Sequence, residues 1–197
     1  MTEIRTMYMV NCQDLRINKK EVLGYLRVRE STPEINALIN ECIEEIYKIA
    51  SPRAVFIESN IELLDDDIVK FDFATVKSHS LSVNLKRCKS VYVFAATLGI
   101  ELDRLIDRYS KILQAKASVC HAVGSALIES FCDYVNETLT NGKKSTRRFS
   151  LGYGDLGLEY QGVVLNALDA ERKIGIILND SLLMTPSKSV TAIIGIK

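Results

Sequence analysis

The sequence predicts an α+β domain in which helices lie against an antiparallel or mixed sheet. Three observations lead to this fold class. An amphipathic helical pattern near the start precedes two strand-like stretches, a long uncharged helical segment fills the middle, and two more strand-like stretches end the chain. Helices and strands that come in separate runs, rather than in strict alternation, are typical of α+β proteins.

The composition is that of an ordinary folded domain without a strong net charge. Of the 197 residues, 47% are hydrophobic and 25% are charged, so we expect a single domain with a substantial core. Basic and acidic residues balance at 25 each, which argues against nucleic acid or an anionic membrane as a partner. The start lacks a signal-peptide pattern and the longest apolar run, 91–100, is too short to cross a bilayer, so we expect a cytoplasmic protein.

Cysteine and histidine are too scattered to indicate a metal site or a disulfide framework. The five cysteines are odd in number and none forms a Cys-x-x-Cys pair, while the only histidines are His79 and His121. Cys120 directly precedes His121, and adjacent helical residues point about 100° apart, so the two would not converge on one ion. We expect no metal, and thiols that are mostly buried.

Two helices are predicted in the N-terminal part. Asn18 is a typical N-cap residue for the first. Ser31 and Glu34 form a predicted capping box for the second, with Pro33 tolerated in its first turn. Pro52 ends the second helix, in which apolar residues recur with a period of 3.6 at Ile35, Leu38, Ile39, Cys42, Ile43, Ile46 and Ile49.

Strands follow the second helix. Residues 54–57 and 68–73 have strand composition and flank an acidic turn at 65–67, while residues 8–10 form a further short strand. Residues 90–97 are continuously apolar and rich in β-formers, which predicts a buried strand. A glycine then leads directly into a helix at 100–109.

A long helix is predicted over residues 111–139, after a short one at 81–87. Between residues 117 and 128 it carries no formal charge, which predicts a helix packed on all sides. Glu129 is the first charge on the side that bears small residues. A carboxylate there either pairs with a cation or lies at the solvent edge, and the sequence leaves both alternatives open.

The segment 148–161 fits neither a helix nor a strand in its first half. Its glycines allow positive φ angles and close approach of another molecule to the backbone. Arg148 supplies a planar cation suited to a carboxylate or phosphate, and Tyr153, next to Gly152, supplies a flat ring. The pattern indicates a cradle for a small amphipathic ligand, or else an ordinary connecting loop.

The remaining elements complete the predicted order. Asn141 and Gly142 end the long helix, and residues 143–148 form a basic loop. An amphipathic helix is predicted near 159–170. The end of the chain reads as two strands joined around Pro186.

Three motifs, in this order, resemble the activation domain of cobalamin-dependent methionine synthase. They are Ile-Glu-Ser-Phe at 128–131, Arg-x-x-x-Gly-Tyr at 148–153, and Asp-Ser-Leu-Leu-Met-Thr-Pro-Ser-Lys-Ser-Val at 180–190. The chain is similar in particular to short stand-alone relatives of that domain, which also carry an Ala-Thr-Leu-Gly segment like 96–99. The resemblance covers roughly residues 85–197 well and the first 80 poorly.

The resemblance implies a C-shaped α+β domain with a long central helix, which binds S-adenosylmethionine and presents its methyl group to a corrinoid. It implies that Arg148 pairs with the ligand carboxylate and that Glu129 offers a carboxylate to the positive ligand. Ser150, Gly152 and Tyr153 would line the cradle, largely through backbone groups. None of these residues is expected to be a nucleophile or a general base.

The implied cofactors are S-adenosylmethionine and, only through a partner, cobalamin. That partner would be a cobalamin-dependent methionine synthase or another corrinoid protein, because this chain has no Asp-x-His-x-x-Gly corrinoid motif. The resemblance also implies a flavodoxin-like or ferredoxin electron donor. Nucleic acid and membrane are not expected as partners.

Some positions depart from the family pattern. Leu151 and Gly157 stand where the stand-alone relatives have proline, and Ile193 and Ile194 stand where the synthase domain has an aromatic contact. A ligand-contacting aspartate at the start of the synthase domain has no match. The alternative is therefore a non-catalytic interaction or scaffold protein of a corrinoid methyltransferase system that has lost ligand binding.

Overall fold

The computed structural model describes residues 6–197. Its strands are β1 (Thr6–Met9), β2 (Arg53–Leu64), β3 (Ile68–Phe71), β4 (Thr75–Lys77), β5 (Ser90–Thr97), β6 (Phe149–Ser150), β7 (Ile177–Leu178), β8 (Met184–Thr185) and β9 (Ser189–Ile196). Its α-helices are α1 (Lys19–Leu26), α2 (Pro33–Ile49), α3 (His79–Leu85), α4 (Ile100–Ile112), α5 (Gln114–Thr140), α6 (Gln161–Leu168) and α7 (Ala170–Ile174). Short 3-10 turns lie at Cys12–Asp14 and Leu158–Tyr160.

One antiparallel sheet organises the described part of the chain. Its strands lie in the order β4-β3-β2-β5-β9-β6, and β1 also pairs with β2. One edge of β2 pairs with β5, while its other edge is shared between β1, opposite 53–56, and β3, opposite 61–64. The sheet is curled into a half-barrel, and β7 and β8 form a separate two-stranded ribbon. The predicted α+β class is confirmed.

Helices cover both faces of this sheet. Phe94 and Ala96 of β5 point into a core shared with α1, α2, α4 and α5. Val93 and Ala95 point into a second core shared with α3, α6 and α7. Because successive side chains of a strand alternate between faces, a strand covered on both sides is apolar throughout. This explains the continuous apolar run, and the structure confirms its predicted bounds, 90–97.

Helix α5 is the central helix of the first core. It starts three residues later and ends one residue later than the sequence predicts, and buried residues occupy most of its circumference. Asn141, with φ +43°, ends it in the left-handed conformation that asparagine tolerates.

Among residues 6–197, no helix combines the length and apolar character needed to cross a membrane.

Several predicted helix boundaries differ from the structure: α3 spans 79–85 and not 81–87, and α4 continues to Ile112 instead of ending at 109. Two further differences have a clear local cause. The N-cap of α2 is Thr32 and not Ser31, and its hydroxyl accepts a hydrogen bond from the Ile35 amide at 3.3 Å. Pro33 occupies the first helical position, so the capping residue is the one directly before it. The predicted helix at 159–170 is a 3-10 turn followed by α6 and α7, because Asp169 takes a left-handed φ of +54° between them.

Strand β2 is also three times longer than predicted. It continues from Ile57 to Leu64, and its second half pairs with β3 around the acidic turn. Asp66 and Asp67 both have positive φ, which suits a tight hairpin between strands of right-handed twist. The turn itself was predicted correctly, and Val69 and Phe71 of β3 pack into the second core.

Candidate functional site

Two carboxylates of α5 hold the guanidinium of Arg148. Glu129 and Asp133 lie four residues apart on one face of the helix. Glu129 Oε2 and Asp133 Oδ1 each lie 3.0 Å from Arg148 Nη2. The Arg148 side chain is 22% exposed, against 43% for Glu129 and 69% for Asp133. Of the two alternatives for Glu129, the structure shows a carboxylate that is both paired and partly exposed.

The other terminal nitrogen of Arg148, Nη1, is buried and has no hydrogen-bond partner among residues 6–197. A buried donor without an acceptor costs about 1–3 kcal/mol, and more when the group is charged. A ligand carboxylate that reached Nη1 after a small shift of the atoms covering it would satisfy this nitrogen without displacing the two acids from Nη2. One guanidinium beside two carboxylates can thus receive both the carboxylate and the ammonium group of an α-amino acid.

The loop after Arg148 is closed by its own backbone. β6 pairs with β9 so that Ser150 lies opposite Ala192. Gly152 has φ +85°, and its amide donates to the Leu156 carbonyl at 2.8 Å, while the Tyr153 amide donates to the Ser150 carbonyl at 3.2 Å. The expectation that bare amides at these two positions face a ligand therefore does not match this geometry. The Tyr153 ring, in contrast, is exposed.

Asp155 anchors this loop to the start of α3. Its carboxylate accepts hydrogen bonds from the Ser78 hydroxyl at 2.6 Å, the His79 amide at 2.7 Å and the Ser80 amide at 3.0 Å. The Ser78 hydroxyl and these amides hold the pKa of Asp155 well below its ordinary value. Gly154, with φ +57°, lies so close to Ser80 that an added Cβ would meet its hydroxyl at 2.8 Å. The backbone that follows Tyr153 is therefore held against the start of α3.

Two cavities adjoin the predicted site residues. The smaller, of about 200 Å³, is lined by Glu129, Arg148, Ser150 and Tyr153 together with two apolar residues. The larger, of about 450 Å³, shares Glu129, Ser150 and Tyr153 with it. Four of the five predicted residues thus line the smaller cavity. Gly152 lines neither cavity and instead packs against the Leu158 side chain.

The sequence patterns miss the far wall of the larger cavity. That wall comes from the C-terminal segment 182–191 and from Leu158 and Gln161. Gln161 and Thr191 are both buried and joined by a hydrogen bond of 3.0 Å. The motif at 180–190 marks this segment, but its mixture of small polar and apolar residues is also that of an ordinary strand pair.

The departures from the family pattern have structural counterparts. Leu151 is buried in the second core, which fixes the loop where the relatives have proline. Ile193 and Ile194 are buried on opposite faces of the sheet, so neither reaches the cavities. At Gly157, an added Cβ would collide with the carboxylate of Glu159.

Comparison with known proteins identifies the fold. No protein-family model matches the sequence, and no curated protein matches it. A solved structure does match, the crystal structure of the MetH reactivation domain bound to AdoHcy, with a TM-score of 0.76 at 16% identity. The chain has the MetH reactivation-domain fold.

The MetH match extends over nearly the whole chain. It covers 98% of this chain and 78% of the MetH chain, so it includes most of the N-terminal 80 residues. The sequence resemblance is poor there. The fold predicted from the resemblance is confirmed, and the shared fold is accompanied by little shared sequence.

Proposed function

We propose that this chain binds S-adenosylmethionine beside α5 and supports reductive methylation of a corrinoid held by another protein. The observation that carries the proposal is the convergence of Glu129, Arg148, Ser150 and Tyr153 on one cavity, in a fold whose solved relative holds AdoHcy. AdoHcy, S-adenosylhomocysteine, is S-adenosylmethionine without its transferable methyl group. A site that holds one therefore has the shape to hold the other.

The charges at the site suit the amino-acid end of such a ligand. Arg148 Nη1 would take the ligand carboxylate as a charge-assisted hydrogen bond. Glu129 would face the α-ammonium group, which carries the charge opposite to its own. The exposed ring of Tyr153 and the apolar wall of the larger cavity would enclose the adenosine part.

In this proposal the partner is a cobalamin-dependent methionine synthase or another corrinoid protein. The partner's corrinoid would supply the reduced cobalt that accepts the methyl group, and a flavodoxin-like or ferredoxin donor would supply the electron. This chain would contribute binding and orientation. Its residues would hold the sulfonium in place, with no side chain acting as nucleophile or general base.

Isothermal titration calorimetry with S-adenosylmethionine tests the binding step. Arg148→Ala removes the proposed carboxylate contact, a hydrogen bond to a charged group worth about 1.5–3 kcal/mol, so the dissociation constant should rise about 10- to 150-fold. Arg147→Ala is the matched control, because Arg147 is adjacent in sequence, exposed and absent from both cavities. Absence of binding by the wild type, both alone and with a corrinoid partner, would refute the proposal.

A second candidate is an interaction protein that keeps the fold without binding the ligand. The internal ion pairs of Arg148 and the closed loop amides favour it, because both satisfy groups that a ligand would otherwise use. Capture of purified corrinoid proteins on the immobilised chain distinguishes the two. Equal capture by the wild type and by Arg148→Ala, unchanged when S-adenosylmethionine is added, supports the second candidate.

A further inference from the structure

A second polar cluster lies on α5, one to two turns before Glu129. It is formed by Lys188, which precedes β9, and by His121 and Ser125 of the helix. Lys188 is 6% exposed, and its Nζ donates to Ser125 Oγ at 2.9 Å. The same nitrogen lies 3.3 Å from His121 Nδ1 and 3.2 Å from His121 Nε2.

The two nearly equal distances fix how the ammonium meets the imidazole. If Lys188 Nζ lay in the plane of the ring at that distance from both nitrogens, it would be about 2.4 Å from Cε1, which is much shorter than a van der Waals contact. The ammonium of Lys188 therefore lies over the face of the ring and not on a nitrogen lone pair. Ser125 Oγ, which itself donates to the His121 carbonyl at 3.1 Å, is a properly directed acceptor.

The cluster is short of negative charge. Among residues 6–197, Lys188 makes no ion pair with a carboxylate, although Asp103 favours its charged form from a distance. Both Asp103 oxygens are already engaged by Ser187, through its amide at 2.7 Å and its hydroxyl at 2.6 Å. Burial lowers the pKa of Lys188 to about 8, and burial together with Lys188 lowers the pKa of His121.

The fold makes room for this lysine at a specific place. A Cβ added at Gly124 would lie 3.3 Å from Lys188 Cε and 2.8 Å from Leu102 Cδ2. The absence of a side chain at Gly124 therefore leaves room for the aliphatic part of Lys188 to pack against α5, close to Leu102 of α4.

A cavity of about 510 Å³ opens beside His121, separate from the two cavities at Arg148. Its lining includes small polar side chains, Ser110, Gln114 and Ser118, and apolar side chains such as Leu26 and Ile106. No carboxylate lines it. Of the three residues in the cluster, only His121 lines this cavity. A buried cation without a carboxylate partner, held against an imidazole that opens onto a cavity without carboxylates, is complementary to a small anion.

We propose that His121, Lys188 and Ser125 form an anion-binding site for a small molecule that carries a carboxylate or phosphate group. The anionic group binds against His121 and the Lys188–Ser125 pair. The neutral body of the molecule occupies the adjoining cavity. This site is distinct from the proposed S-adenosylmethionine site, and it stands whether or not that ligand binds.

An NMR titration of His121 in phosphate and in chloride, at matched ionic strength, tests the site. A bound anion favours the charged imidazole, so the pKa of His121 should be higher in phosphate than in chloride. The other ionisable groups that act on this ring are Lys188 and Asp103 on α4, and Tyr25 of α1, which lines the same cavity, lies within electrostatic reach of Glu21 and Glu129. Acetate and phenyl phosphate separate carboxylate from phosphate recognition, and phenyl phosphate should bind more tightly than inorganic phosphate if its ring enters the cavity.

Variants of Lys188 and His121 show whether these residues bind the anion. Lys188→Met should weaken phosphate binding at least about tenfold, the loss expected for one charge-assisted hydrogen bond. Lys86→Met removes an exposed lysine on another surface and should change nothing, and Arg148→Ala should retain the effect because its cluster is separate. If Lys188→Met fails to fold, His121→Gln, at an exposed position, should abolish the stabilisation by phosphate in thermal unfolding. Identical His121 titrations in phosphate and chloride, or a phosphate effect that survives His121→Gln, would overturn the proposal.

Discussion

Glu129 and Asp133 provide a matched pair for testing the S-adenosylmethionine site. Each is a carboxylate on α5, and each lies 3.0 Å from the same nitrogen of Arg148. Only Glu129 lines the two cavities. Glu129→Gln and Asp133→Asn remove one charge each with little change in shape, so a difference between them reports contact with the ligand.

The magnitude follows from the exposure of Glu129. A hydrogen bond between charged groups contributes about 1.5–3 kcal/mol. The Glu129 side chain is 43% exposed, so solvent screening lowers its expected contribution to about 1 kcal/mol. Glu129→Gln should therefore raise the dissociation constant of S-adenosylmethionine about fivefold, and Asp133→Asn by less than about twofold.

Calorimetric titration of both variants with S-adenosylmethionine and with S-adenosylhomocysteine measures these effects. If Glu129 faces the α-ammonium group, both ligands lose affinity equally, because both carry that group. A loss confined to S-adenosylmethionine would place Glu129 near the sulfonium instead. Equal losses in Glu129→Gln and Asp133→Asn would refute the reasoning, since the effect would then arise from the shared orientation of Arg148.

Two further predictions concern stability. An added Cβ at Gly195 in β9 would lie within 2.6–2.9 Å of three side chains, among them Cys88 and Leu85, so Gly195→Ala should destabilise the fold by about 1–3 kcal/mol. An added Cβ at Gly24 in α1 meets nothing within 4 Å, so Gly24→Ala should stabilise the fold by about 0.5–1 kcal/mol. Urea unfolding measures both changes in unfolding free energy, and equal effects would contradict the packing argument. Hydrogen bonds lower the folded pKa of Asp155, so its stabilising contribution is present above the unfolded pKa of about 3.9 and disappears as the pH falls through the folded value. The difference in unfolding free energy between wild type and Asp155→Asn should therefore be constant above about pH 5 and shrink below about pH 4. A difference that does not depend on pH would show that the carboxylate charge is not what anchors the loop.

Local patterns predicted the elements whose environment is uniform along their length. β5 is apolar on both faces because both faces are covered, and α5 lacks charge between 117 and 128 because it is packed on most sides. β2 was cut short for the opposite reason. Its second half becomes increasingly exposed, so residues 58–64 lack the apolar character of a buried strand.

The candidate site shows the same division between local and distant information. Arg148, Gly152 and Tyr153 stand close together in the sequence, and their residue types alone indicated either a ligand cradle or an ordinary connecting loop. Asp133 carried a usable signal as well, since it lies one helical turn after Glu129 on the same face. The wall at 182–191 was marked only by the family motif at 180–190, and no local pattern placed it at the site, because that placement depends on how β9 returns along β5 and next to β6.

The charges on α5 explain why its two clusters should bind different groups. His121, Ser125, Glu129 and Asp133 are spaced four residues apart, so they follow one another along one side of the helix. At the Glu129 end, two carboxylates meet the single guanidinium of Arg148, which leaves an excess of negative charge for a ligand that carries an ammonium and a sulfonium. At the His121 end, a buried ammonium meets a hydroxyl and an imidazole face without a carboxylate, which leaves an excess of positive charge. Both clusters lie on the same helix, so the expected difference in selectivity comes from the cation in each cluster and its partners. Arg148 is paired with two carboxylates, whereas Lys188 has no carboxylate partner among residues 6–197.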